Sequence, residues 1–266
     1  MLVQKRAQLS NKALLESRGL TKSFGDFTAV ENVDYSVTEG ASAGIIGPNG
    51  AGKSTFFNLL TGMFPPTRGT ICFMGKDITG HTADHRVSLG LIRTFQLVSV
   101  FNSLSVLDNL VLASVHASGE FKRQFSFMLG SAHRKRILKT CEESLVRVGL
   151  EQKIWSLTSE LSYGEKRMLE IAMALSLKPK ALLLDEPLAG LSEVEIHDVL
   201  ALINGLRGHL TLVIIEHKIS RLVGLVERLS VMHQGRIIAD GVPDEVLCDP
   251  TVRRVYWGGS DQTCTL

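Results

Sequence analysis

No run of apolar residues in this chain approaches the roughly 20 that a bilayer-spanning helix requires, and the opening residues lack the apolar centre of a secretion signal. Any membrane association is therefore expected to pass through a partner or a surface contact. A dominant charge is missing too. Against 29 Lys+Arg stand 27 Asp+Glu, a formal net charge of +2, which is too mild to make a polyanion the main partner, although Lys5, Arg6 and Lys12 make the N-terminal stretch locally basic. No nucleic-acid partner is expected. Cysteine is sparse: Cys72, Cys141, Cys248 and Cys264 are far apart with no C-x-x-C pairing, a pattern read as ordinary reduced thiols rather than a metal site or disulfide framework. Internal repeats and low-complexity segments are absent as well. What remains is 266 residues, enough for one large α/β domain or two small ones with an ample core.

Within that chain, Gly47-Pro48-Asn49-Gly50-Ala51-Gly52-Lys53-Ser54-Thr55 matches the phosphate-loop pattern G-x-x-x-x-G-K-[ST] in full. The glycines are expected to take positive φ and let consecutive N–H groups approach the β- and γ-phosphates of a nucleotide. Asn49, Gly50, Ala51, Gly52, Lys53, Ser54 and Thr55 are the candidate cradle. Lys53 adds a point charge, Ser54 offers a hydroxyl to Mg²⁺, and the helix that begins here lends the positive end of its dipole. The context fits, with the apolar strand Ala43-Gly44-Ile45-Ile46 before the loop and the helical pattern Phe56-Phe57-Asn58-Leu59-Leu60 after it.

The alternation over 14–20 and 28–37 predicts strands, and Thr70-Ile71-Cys72-Phe73-Met74, closed by Gly75-Lys76-Asp77, adds another strand and turn. These are assigned to one antiparallel sheet. From about Ser103 to Leu150 the character turns helical, with Phe and basic residues concentrated over 121–136. Ala181-Leu182-Leu183-Leu184 and Leu212-Val213-Ile214-Ile215 then read as parallel strands buried on both faces. The first of these ends in Asp185 and Glu186. Beside a phosphate loop, Asp185 suits Mg²⁺, and Glu186, one residue further out, suits a general base that takes a proton from attacking water. His217 ends the second, at the sheet edge where ligands bind in α/β folds.

Leu161-Ser162-Tyr163-Gly164-Glu165 opens a helix whose apolar positions Met168, Ile171, Ala172 and Leu175 share one face. It resembles the signature motif of the ABC ATPases, whose usual form is Leu-Ser-Gly-Gly-Gln. Other marks of that family follow in its order, from Leu14 to Gly258. The resemblance implies Phe24, with Val30, at the adenine, Gln96 of Arg93-Thr94-Phe95-Gln96 as the Q-loop that senses γ-phosphate or Mg²⁺, and Asp185-Glu186 as Walker B. It likewise makes Ala189-Gly190-Leu191-Ser192 the D-loop and His217 the switch histidine. Tyr163 and Glu165 depart from the usual signature, and Ser192 stands where many relatives carry Asp. Ser162 and Glu165 also form an S-x-x-E capping box, so Glu165 reads both as a helix-start residue and as part of the signature.

The fold this implies is α/β, a P-loop NTPase (RecA-like) core with an N-terminal antiparallel β subdomain and an inserted α-helical subdomain. Residues 1–12 would be a flexible tail, 13–95 and 161–258 the β subdomain plus core, 96–160 the helical subdomain, and 259–266 a second tail. In such ATPases the cassettes close head to tail, each ATP held between one phosphate loop and the other subunit's Ser162 and Gly164. The runs Leu169-Glu170-Ile171-Ala172, Ile215-Glu216-His217 and Val255-Tyr256-Trp257-Gly258 are similar to the ATPase subunits of branched-chain amino acid importers. Importers of urea or short amides look much alike, and a soluble ABC ATPase of DNA repair or translation is the remaining alternative. The importer resemblance implies ATP and Mg²⁺ as cofactors, two transmembrane permease subunits, a second ATPase subunit and, indirectly, a solute-binding protein. It places the chain peripherally on the cytoplasmic face of the plasma membrane. Phe95, Phe101, Val106 and Leu107 are expected either to line the groove for the permeases or simply to pack the subdomain. The segment 121–136 is expected to be an amphipathic helix on its own subdomain or a contact with anionic lipid.

Overall fold

The computed structural model describes residues 13–94, 98–117 and 131–257. The expected tails, Phe95, Gln96 and most of the segment 121–136 lie outside that range. The chain divides into two compact units, Met1–Ala83 with Arg207–Leu266, and Asp84–Leu206.

In the first unit, β1 (Ala13–Phe24) and β2 (Phe27–Thr38) make a long antiparallel hairpin, to which β4 (Arg68–Phe73) and β5 (Lys76–Asp77) add in the order β2-β1-β4-β5. Period-two alternation sets its inner face, so Val33, Tyr35 and Val37 are buried while the residues between them are not. The expected strand end at Met74 is instead the turn between β4 and β5, with Met74 at φ 55. A second sheet joins β3 (Ser42–Ile46), β8 (Thr211–Ile215), β9 (Arg228–His233) and β10 (Arg236–Gly241) in the order β10-β9-β3-β8. β3 is parallel to both β8 and β9, and β10 turns back antiparallel. Every residue of β3 and β8 is buried, as continuous apolar runs demand. Helix α1 (Lys53–Thr61) follows β3, and its Phe56 meets Tyr35 of β2 edge-on, with ring centroids 5.5 Å apart.

The unit closes with α7 (Ile219–Leu222), α8 (Pro243–Cys248) and α9 (Pro250–Trp257). Cys248 is disulfide-bonded, which corrects the expectation of reduced thiols throughout; Cys72 and Cys141 are free. Spacing along the chain carried no sign of it, because a disulfide needs only proximity in the fold.

The second unit pairs β6 (Leu91–Arg93) parallel with β7 (Ala181–Asp185). Around them stand α2 (Ala83–Leu89), α3 (Val106–Ala117), α4 (Ser131–Arg147), α5 (Tyr163–Ser176) and α6 (Glu193–Leu206). Helices α3, α4 and α5 pack on one another. The expected helical stretch is thus present as α3 and α4. Asn109 of α3, wholly buried, ties its surroundings together: its amide donates to Phe101 O, Ser105 O and Thr158 Oγ1, and its Oδ1 accepts from Phe101 N. No described helix is long and apolar enough to cross a membrane.

Candidate functional site

The phosphate loop occupies the turn between β3 and α1. Its Ala51 N–H bonds back to Pro48 O at 3.2 Å, and α1 starts from Gly52 in the left-handed region at φ 100 with no side-chain cap. An uncapped helix start presents its N–H groups to an anion. The neighbours explain the glycines. A Cβ at Gly52 would strike the carbonyl oxygen of Ala29 in β2, and one at Gly47 that of Met232 in β9. Gly47 is therefore needed for close approach and not, as expected, for a positive φ. The turn at Gly235 completes the support, its N–H donating to Ala51 O at 3.0 Å and its carbonyl accepting from Glu31 N at 2.8 Å. Lys53 is buried, with Nζ donating to Gly47 O at 2.6 Å and Pro48 O at 3.1 Å, while Asn49, Gly50 and Ser54 are exposed and Thr55 is half-buried. This arrangement, a buried cation beside an uncapped helix start, can hold a polyanion.

Phe24, at the end of β1, is 49% exposed. Its ring meets that of Phe64 at 83° with centroids 5.6 Å apart, and Lys22 Nζ lies 5.1 Å and 5.2 Å from the two centroids. Such an aromatic shelf with a cation beside it suits a flat π-system. Val30, by contrast, is wholly buried and its side chain belongs to the core of β2. His217, just past β8, is exposed, and its N–H donates to Glu216 Oε2 at 3.2 Å.

In the second unit Asp185 ends β7 nearly buried. Its Oδ2 accepts from Arg93 Nη2 at 2.6 Å, with side-chain exposures of 3% and 8%, whereas its Oδ1 is buried with no hydrogen-bond partner among the described residues. A carboxylate with one orphaned oxygen suits a hydrated divalent cation, which needs oxygen ligands. Glu186 follows at φ 49, a left-handed backbone that costs a non-glycine residue about 1–2 kcal/mol. The chain leaves the strand at this residue, and Ala189 N–H bonds back to Glu186 O at 3.1 Å.

Ser162 caps α5 in the expected capping box, its Oγ accepting from Glu165 N and its N–H donating to Glu165 Oε2 at 2.9 Å. The unusual residues of the signature have structural partners. Tyr163 lies against the D-loop: a Cβ at Gly190 would be 3.1 Å from Tyr163 Cε1, so the tyrosine and this glycine fit each other. Lys153 pairs with Glu165, which answers the extra negative charge. Burial works to raise the Glu165 carboxyl, but the Lys153 ammonium and the Ser162 N–H outweigh it and hold the group below the ordinary range. Glu195 of α6 completes the cluster. Its Oε1 accepts from Gly164 N at 3.0 Å and Ser162 Oγ at 3.3 Å, and its Oε2 from Ser192 N at 3.0 Å and Ser192 Oγ at 2.8 Å.

Arg93 as an ion-pair partner, Lys153, Glu195 and the pair Trp155 and Leu157 carry no motif in the sequence that marks them. Trp155 is 75% exposed, Leu157 46%, and Phe101, on the neighbouring segment, 55%. Leu157 bridges to Ser105, and Thr158 N–H bonds to Leu104 O, which brings the two segments side by side. A tryptophan in the polar run 151–160 was the available signal. Val106 and Leu107 are buried, so of the two readings held open they take the packing one.

The family model for ABC transporter matches residues 30–189, and that for branched-chain amino acid ATP-binding cassette transporter matches residues 236–261. The chain is 36% identical over 252 residues to the high-affinity branched-chain amino acid transport ATP-binding protein LivG of Salmonella typhimurium, covering 93% of this chain and 99% of LivG. It is 34% identical over 253 residues to the lipopolysaccharide export system ATP-binding protein LptB of Acidithiobacillus ferridurans, covering 94% and 98%. Among solved structures, the ADP conformation of MJ1267, an ATP-binding cassette of an ABC transporter, superposes with a TM-score of 0.82 at 31% identity, covering 93% of this chain and all of that one. With phosphate loop, paired carboxylates and signature in place, the chain belongs to the ABC transporter family, as one of its ATP-binding, ATP-hydrolysing cassettes.

Proposed function

We propose that this chain is the ATPase subunit of an importer for branched-chain amino acids. The observation that carries the substrate is the match of residues 236–261, spanning β10, α8 and α9, to the branched-chain cassette model. Identity alone leaves lipopolysaccharide export as the second reading, since LptB is 34% identical over a similar length.

In this reading Asn49 to Thr55 cradle the triphosphate, with Lys53 neutralising part of its charge, and Phe24 stacks on adenine. Ser54, Asp185 and Gln96 would hold Mg²⁺, which supplies charge neutralisation on the phosphates when bound. The orphaned Asp185 Oδ1 supports that assignment. Glu186 accepts the proton of a water whose oxygen bonds to the γ-phosphorus as the bond to ADP breaks, and His217 contacts the γ-phosphate. Ser162 and Gly164 receive the γ-phosphate of ATP bound to a second ATPase subunit. Closing that pair from mostly open to mostly closed takes about 5 kcal/mol of differential binding, which γ-phosphate contacts provide and hydrolysis removes. Phe101, Trp155 and Leu157, exposed beside α3, offer an apolar surface to the two permeases, so that the chain sits peripherally on the cytoplasmic side of the membrane.

Co-expression with the permease subunits of a branched-chain amino acid importer tests this reading. The chain should then sediment with membranes and drive ATP-dependent leucine uptake. A chain that stays soluble overturns the importer reading, and membrane binding with uptake of none of leucine, isoleucine and valine overturns the substrate alone.

A further inference from the structure

Glu195 does more than cap its own helix. Ser192 and Glu195 form a capping box at the start of α6, with Ser192 N–H donating to Glu195 Oε2. The second oxygen of the same carboxylate crosses to another helix start and takes Gly164 N–H at 3.0 Å and Ser162 Oγ at 3.3 Å. A Cβ at Gly164 would overlap Glu195 Oε1, so the glycine leaves the room in which this oxygen sits. Those two donors are the ones assigned above to the γ-phosphate of a second subunit's ATP, and the inference rests on that assignment. A backbone N–H has a single hydrogen. Gly164 N–H therefore serves the carboxylate or the phosphate, not both at full strength, and the two anions repel each other at such a separation.

We propose that Glu195 is a resident anion on the phosphate seat of the signature, displaced when the ATP of the opposing subunit docks. The open state is thereby stabilised and the ATP needed for closure is raised. Displacement also frees the carboxylate from Ser162 and Gly164 while it remains hydrogen-bonded to Ser192, which links filling of the seat to the D-loop. Lys153 bonds to Glu165 rather than to Glu195, so the resident charge is held by hydrogen bonds alone and can leave.

The test uses the full chain in a Glu186→Gln background, with dimerisation followed by light scattering against ATP concentration. Glu195→Ala should lower the ATP concentration for half-maximal pairing about tenfold, the loss of one charge-assisted contact that competed with the phosphate. Glu195→Gln, which keeps the shape and removes the charge, should fall between. An unchanged or raised midpoint in both variants overturns the proposal, since a merely structural carboxylate would weaken pairing when removed. If the background itself stays open at every concentration, Glu195→Ala must close it, and failure to do so also overturns it. Ser162→Arg separates the proposal from its premise. Pairing unaffected by Ser162→Arg sinks the assignment of the signature as the phosphate seat, whereas lost pairing beside an unmoved Glu195→Ala midpoint sinks only the proposal.

Discussion

Replacing Arg93 by methionine removes a positive charge from a carboxylate that has almost no access to water. Arg93 Nη2 and Asp185 Oδ2 are 2.6 Å apart with exposures of 8% and 3%. Breaking such a pair on one side leaves an uncompensated buried charge and costs about 3–5 kcal/mol, while methionine keeps most of the apolar stem and adds little cavity penalty. With a urea dependence of about 3 kcal/mol/M for a chain of this size, the unfolding midpoint should drop by about 1–1.7 M. Asp185→Asn in the same background removes the stranded charge and should recover the larger part of that loss, giving a strong coupling in the double-mutant cycle. Millimolar Mg²⁺ should also stabilise Arg93→Met more than the parent, because a divalent cation can replace the guanidinium at Asp185. A loss below about 1 kcal/mol, or no recovery with Asp185→Asn, would show that the pair contributes no more than an exposed salt bridge.

Gly52→Ala forces a side chain into φ 100 and against the Ala29 carbonyl, and should cost about 2–5 kcal/mol in a thermal or urea melt. The Glu195 carboxyl is held below its ordinary range, chiefly by the Ser192 N–H and hydroxyl and, against the pull of burial, by Gly164 and Ser162. A lowered folded-state value contributes stability that is present above the unfolded value of about 4.3 and lost as pH falls through the folded one, so urea midpoints should decline below about pH 4, less steeply in Glu195→Gln. Trp155→Ala, at a residue 75% exposed, should leave the melting curve within about 0.5 kcal/mol and basal ATP hydrolysis unchanged while weakening co-sedimentation with the permease complex.

The phosphate loop was legible because its chemistry is contiguous: nine neighbouring residues carry the glycines, the lysine and the hydroxyl together. The same holds for Ser162 with Glu165, a cap written over four positions and found as expected. Arg93 and Asp185 meet across 92 residues, and Gly164 and Glu195 across 31. No local period announces such pairs, so Glu165 read as an unbalanced charge until Lys153 stood beside it, and Ser192 as a departure until it shared Glu195. The apolar residues of the helical arm were ambiguous for a different reason. Val106 and Leu107 are as hydrophobic as Leu157, and only burial separates core from exposed surface. The left-handed backbone of Glu186 is invisible to sequence patterns, since φ at a strand end is imposed by the turn that follows and not by the glutamate.

In the proposed mechanism this chain hydrolyses ATP with Glu186 as the base and closes on ATP as a clamp. Single-turnover hydrolysis by Glu186→Gln, read together with ATP binding and dimerisation, tests it most directly. Hydrolysis should fall by about 10²–10⁴-fold with ATP binding retained and the closed pair accumulating. Hydrolysis within a few-fold of the parent, or loss of ATP binding itself, would contradict it.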